Sequence, residues 1–195
     1  VDALLVLAFA MQHEVMARPA FKAKITRFIP RAMERSVFVL LASVVLVAMF
    51  VLWRPIGTVL WRTEGVLYWA ITGVAAFGWA LVLASTFIIN HFDLFGLRQV
   101  MLHLRNRPCT PVGFKLRLMY RLCRHPLMLG FIIAFWAAPV MTVGRLWFAV
   151  LMTAFILVGI RFKERDLVAQ HGEEYLAYRR RVRALVPIPR RPSGG

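Results

Sequence analysis

Cysteine is scarce, with only Cys109 and Cys123 in 195 residues. No CxxC pair and no His/Cys cluster at zinc spacing accompanies them. That argues against a disulfide-stapled scaffold and against a structural zinc module, and no metal partner is expected. Acids are scarce too: nine Asp and Glu stand against 25 Lys and Arg, for a formal charge of +16. In a soluble protein such a charge would suggest nucleic acid. Here the basic residues fall between apolar runs, and no basic block is interleaved with aromatics as a single-strand binder requires. Cytoplasmic loops and anionic lipid headgroups account for them better. No G-x-G-x-x-G is present, although not every nicotinamide enzyme needs one.

What the chain does have is apolar length. Sixty per cent of residues are hydrophobic and 17% are charged, against roughly half and a quarter in soluble domains. An apolar run covers 1–11, with Asp2 its single charge, and uncharged runs cover 37–53, 66–89, 127–143 and 146–160. The expected fold is therefore all-α, a polytopic transmembrane helical bundle with about five spans. Only Gly144 and Arg145 link the last two runs, which predicts a tight helical hairpin, with Pro139 kinking its first arm. Of the 25 basic residues, all but Arg54, Arg62 and Arg145 fall on one side of this arrangement. The positive-inside rule makes that side cytoplasmic, together with the C-terminal helix and the C-terminus. The two thiols then lie where they stay reduced.

The chain opens on Val1, inside an apolar run, and an upstream segment is expected to be missing. The expected organisation is 1–89 as transmembrane spans one to three, 90–186 as a helical-hairpin half with the C-terminal helix, and 187–195 as a disordered basic tail.

Three polar clusters at the cytoplasmic ends of the later runs are candidate sites. Arg124-His125-Pro126 opens the fourth run. Pro126 suits a first helical turn, the free N–H groups beyond it can bind an anion, and Gly130 would admit a ligand to the backbone. The alternative is a basic residue at a membrane border before a proline-started helix. Glu164 sits at the end of the fifth run, followed by His171, Glu173, Glu174, Tyr175 and Tyr178. A carboxylate there must be solvated or paired. It could hold a cationic group or a key arginine, or belong to an ordinary interfacial helix with i,i+4 ion pairs. Asn90-His91-Phe92-Asp93 closes the third run. His91 with Asp93 could move a proton, or Asn90 and Asp93 could cap a helix. His13 is a weaker case of the same kind.

The block Arg124-His125-Pro126-Leu127-Met128-Leu129-Gly130 resembles the RHPxYxG motif of the isoprenylcysteine carboxyl methyltransferase-like superfamily, with Met128 where Tyr is usual. The pattern Glu164…Leu167…Gly172-Glu173-Glu174-Tyr175…Tyr178…Val182…Pro187 is similar to that superfamily's C-terminal half. Lys163-Glu164 stands where an acidic pair is usual. Gln12-His13…Met16-Ala17-Arg18-Pro19, Asn90-His91-Phe92-Asp93-Leu94-Phe95-Gly96-Leu97-Arg98-Gln99 and Thr110-Pro111-Val112-Gly113-Phe114 resemble the bacterial methanethiol S-methyltransferases, relatives of the NnrU-type membrane proteins.

The resemblance implies an enzyme of the bacterial inner membrane. It would methylate a small volatile thiol, methanethiol, with S-adenosylmethionine as donor. Tyr120, Arg124, His125, Pro126, Leu129, Gly130, Glu164 and Tyr175 would hold the donor. His91, Asp93 and Arg124 would serve the reaction, the first two as a base and the last as a fixed cation. Membrane lipid is the other expected partner. A prenylcysteine-type carboxyl methyltransferase, a nonenzymatic NnrU-like protein and a reductase are the competing readings.

Overall fold

A computed structural model describes residues 2–89, 91–108 and 118–187. Asn90, Cys109 and the Thr110–Phe114 block lie outside these, as does the expected basic tail beyond Pro187. The architecture is mostly helical. Helices α1 (Asp2–Ala17), α2 (Pro19–Ile25) and α3 (Glu34–Leu52) precede strand β1 (Val59–Arg62). Helices α4 (Gly65–Ile89), α5 (His91–Leu94), α6 (Leu97–Leu104) and α7 (Pro126–Trp136) follow. Strand β2 (Val140–Thr142) and the long α8 (Val143–Arg181) close the order.

Among the described residues three helices are long and apolar enough to cross a membrane: α3, α4 and α8. With 19 and 25 residues, α3 and α4 are about 28 and 37 Å long at 1.5 Å per residue. Their surfaces are those of a membrane protein. Met49 is the one buried side chain of α3, while Leu40, Val44, Val47 and Val51 of that helix are exposed. Water would penalise that arrangement, and lipid does not. Helix α1 has 16 residues and α7 only 11, so α7 reaches about 16 Å of a core of about 30 Å. Among the described residues, three of the five expected spans are therefore helices long enough to cross the core unaided.

The expected hairpin is also different in detail. Helix α7 stops at Trp136, and residues 137–142 connect it to α8. The reason is local. Pro139 has no N–H for a helical bond and disfavours helical geometry at Ala138, so the chain leaves the helix instead of kinking. The freed segment forms β2, paired antiparallel with β1. Its other groups are also satisfied: Trp61 Nε1 donates to the Ala138 carbonyl (3.1 Å) and Thr63 N to that of Pro139 (2.9 Å). Thr142 then caps α8 by accepting from Arg145 N (3.2 Å). Among the described residues the helices are thus accompanied by a two-stranded sheet.

The chain divides into two compact units, Val1–Pro55 with Thr86–Gly113 and Ile56–Ser85 with Phe114–Gly195. In the first, α1 packs on α3, and the His13 ring lies between Phe9 (centroids 5.6 Å) and Phe38 (5.0 Å). Gly96, at φ 79°, lies against Ser36, and Arg35 Nε donates to the Leu94 carbonyl (2.9 Å). In the second, α4 meets α7 at a glycine pair. A Cβ on Gly78 would lie 2.7 Å from Ala134 N and one on Gly130 2.7 Å from the Gly78 carbonyl. Only glycine permits that approach, a common device for joining helices in lipid. Beside it, Trp79 meets Phe131 and Phe135 edge-on.

Candidate functional site

The polar centre of the second unit is built where the chain enters α7. Pro126 opens that helix and is fully buried. The residues just before it run beside the segment after α8. Arg124 N donates to the Arg183 carbonyl and His125 N to that of Ala184, both at 3.0 Å. Cys123 Sγ donates to the same Ala184 carbonyl (3.1 Å), and burial raises its thiol pKa.

This pairing delivers two side chains inward. Arg124 and His125 are 7% and 4% exposed, and Glu164 from α8 is 8% exposed. The Glu164 Oε1 atom accepts from Arg124 Nε (2.8 Å) and lies 2.6 Å from Arg124 Nη2. It also lies 3.0 Å from His125 Nε2. The remaining Arg124 nitrogen, Nη1, donates to the carbonyls of Arg179 (3.0 Å) and Val182 (2.6 Å) at the end of α8. Burial pushes the His125 pKa down to about 4. The imidazole is therefore neutral at pH 7. With a carboxylate facing Nε2, its proton sits on that nitrogen and donates to Glu164.

Glu164 meets these partners because α8 is broken. Gly172 adopts φ 52°, ψ −129° inside the helical run, a combination essentially reserved for glycine. The reversal brings Arg179 Nε to 3.5 Å from Glu164 Oε2. Tyr175, Tyr178 and Val182 of the returning arm form a buried cluster with Leu167 and Val168. Tyr178 OH donates to the Tyr120 carbonyl (2.5 Å). The Tyr120 phenol is pushed up to about 12 by burial and stays protonated. Between the arms opens a cleft of about 350 Å³, lined by Arg161, Glu164, Arg165, Val168 and Arg179.

Arg124, His125, Pro126, Glu164, Tyr175 and the Tyr120 backbone thus share one neighbourhood. Their contacts, however, are largely with one another. Of the motif residues only Glu164 lines the cleft. Gly130 faces Gly78 and Val82 instead of open space, so its lack of a side chain serves helix packing. Leu129 is half-buried on α7. Asp93, in the other unit, accepts from Arg98 Nη1 (3.2 Å) and Gln99 Nε2 (3.1 Å). It thereby anchors the first turn of α6, and His91 opens α5 two residues earlier. The expectations missed Arg161, Arg165 and Arg179 as cleft residues. The i,i+4 spacing of the first two was visible, but the reversal that adds the third required the conformation of Gly172. Among the described residues no group of His, Cys, Asp and Glu could hold a metal ion.

Comparison with known proteins places the chain among named relatives. The family description "NnrU protein" matches residues 3–181. A methanethiol S-methyltransferase of Mycobacterium tuberculosis is 51% identical over 192 residues, covering 98% of this chain and 79% of the relative. Methanethiol S-methyltransferase 1 of Bradyrhizobium diazoefficiens is 50% identical, with 96% and 66% covered. The enzyme of that name from Crocosphaera subtropica is 49% identical, with 96% and 74% covered. No solved structure matches significantly. The match embraces both compact units and every span, and the chain belongs to the NnrU family.

Proposed function

We propose that this protein methylates methanethiol to dimethyl sulfide, with S-adenosylmethionine as donor and S-adenosylhomocysteine as the second product. The observation that carries the reading is an identity of about half, across nearly the whole chain, to relatives named methanethiol S-methyltransferase. The donor supplies an electrophilic sulfonium methyl, and the thiol sulfur forms the new C–S bond as the old one breaks.

The residues of the cleft suit such a donor. Its amino-acid head carries an ammonium and a carboxylate, and the cleft pairs the Glu164 carboxylate with guanidinium groups. Small-molecule sites typically begin at about 300 Å³, which the cleft meets. Arg124 and His125 act here by holding Glu164 and the returning arm rather than by touching the donor. Tyr120, Pro126 and Tyr175 pack around the same inner cluster, while Leu129 and Gly130 seat α7 against its neighbours. Residues 90–186 form the donor-binding half.

A free cysteine thiol has a pKa near 8.5 and a simple alkyl thiol is no more acidic, so a base assists. His91 is that base, with Asp93 orienting it, and the thiol proton passes to His91. Apolar surroundings favour the loss of charge when a thiolate meets a sulfonium, and a volatile apolar thiol enters from the bilayer. The protein sits in the inner membrane with its C-terminus cytoplasmic, where the donor is made. The experiment is direct: purified protein, S-adenosylmethionine and methanethiol, with dimethyl sulfide measured in the headspace. His91→Ala should lower turnover at least tenfold, since positioned bases contribute about 10²-fold or more, with donor affinity retained. Equal turnover places the base elsewhere, and absent product contradicts the reading.

A further inference from the structure

We infer that Arg161 and Arg165 bind the α-carboxylate of the methyl donor while Glu164 Oε2 receives its ammonium, so that the donor is recognised by its amino-acid end. This rests on the methyl-transfer reading above and adds residues to it.

Arg161, Arg165 and Val168 stand at i, i+4 and i+7, one face of α8, with Glu164 beside them. All four line the cleft that the Gly172 reversal creates. Arg161 lies 18 residues beyond Val143 at the start of α8, or about 27 Å along the axis. That distance takes the helix across most of a hydrocarbon core of about 30 Å and delivers the arginines to its polar border. Both are exposed, and among the described residues neither takes part in an ion pair.

Glu164 is divided in its duties. Oε1 carries Arg124 and His125. Oε2 faces only the longer contact to Arg179, at 3.5 Å, where a good charged hydrogen bond is about 2.7–2.9 Å. An ammonium can therefore reach Oε2 without displacing the inner cluster. An acid flanked by arginines is complementary to a zwitterionic head and to little else of this size. A simple cation meets three guanidinium groups, and a simple anion meets Glu164. The same arginines repel the sulfonium, which directs the reacting methyl away from them.

The test uses the full chain in detergent or nanodiscs and two probes, S-adenosylmethionine and its decarboxylated analogue S-adenosylmethioninamine, with affinities from calorimetry. The wild type should prefer the carboxylated donor by about tenfold or more, the worth of one or two hydrogen bonds to a charged group. Arg161→Gln and Arg165→Gln should each weaken that donor about tenfold and leave the decarboxylated analogue unchanged or tighter. Arg165→Lys should recover part of the loss, and the exposed Arg105→Gln should alter neither probe. Equal wild-type affinity for the two probes, or equal weakening of both by the Arg→Gln changes, overturns the assignment. So does competition by millimolar inorganic phosphate, which would mark a phosphate site. Failure of both probes to bind the wild type would instead overturn the methyl-transfer reading beneath it.

Discussion

Arg124 and Glu164, forty positions apart in sequence, are joined through a single carboxylate oxygen: Oε1 lies 2.8 Å from Nε and 2.6 Å from Nη2 of the guanidinium. The third nitrogen of the same group ties down the end of α8 at Arg179 and Val182. One side chain therefore closes the entrance of α7, the middle of α8 and the chain beyond it. Arg124→Ala removes all of these bonds and leaves a buried carboxylate facing only His125 and the longer contact to Arg179. The expected cost is about 3–5 kcal/mol, read as a large fall in melting temperature by tryptophan fluorescence in detergent. Arg124→Lys cannot reproduce the fork and should recover only part. An unchanged melting curve for Arg124→Ala would show that the pairing carries no stability.

His125 gives a pH dependence of defined sign. Its folded pKa is about 4, below the unfolded value near 6.5. Above pH 6.5 both states are neutral and the full stability is present. Between 6.5 and 4 the unfolded chain takes up a proton that the folded one refuses, so stability falls as pH drops, by roughly 3 kcal/mol over the window. Melting temperature measured from pH 7.5 to 4.5 should decline, and His125→Gln should flatten that part of the decline. Parallel curves for the two proteins would contradict the buried neutral imidazole.

The Gly78–Gly130 contact predicts intolerance of any side chain. A methyl on either glycine meets backbone atoms of the other helix at 2.7 Å, and backbone cannot yield as a side-chain tip can. Gly130→Ala and Gly78→Ala should each destabilise by about 1–3 kcal/mol or more. If Gly130 instead served a ligand, Gly78→Ala would be harmless while Gly130→Ala lost only donor affinity.

Gly172 separates backbone strain from packing. Nothing lies within 4 Å of where its Cβ would be, so Gly172→Ala costs only the conformation, about 1–3 kcal/mol. The returning arm should loosen, exposing Tyr175 and Tyr178. Faster hydrogen exchange confined to 173–182 would report it, and unchanged exchange there would argue against the reversal.

How much of this could be read from the residues alone follows from the range of the interactions. Helices α3 and α4 were legible because an uncharged run in a membrane needs no partner to be recognised. The stop of α7 was misjudged because Pro139 permits either a kink or a termination, and the choice depends on β1, about eighty residues upstream, whose edge receives β2. The meeting of Arg124, His125 and Glu164 in one place was anticipated through the family resemblance. Its inward character was not, because motif spacing does not say whether an arginine faces a ligand or the carbonyls of its own chain. Asp93 illustrates the same limit: helix anchoring and proton transfer were both open from sequence, and the contacts to Arg98 and Gln99 supply the first.

The most direct test of the account follows the methyl group itself. Purified protein is given S-adenosylmethionine bearing a trideuterated methyl together with unlabelled methanethiol, and the headspace is analysed by mass spectrometry. The account predicts dimethyl sulfide carrying one deuterated and one ordinary methyl, formed in equal amount to S-adenosylhomocysteine. Unlabelled dimethyl sulfide alone, or S-adenosylhomocysteine without the sulfide, would contradict it.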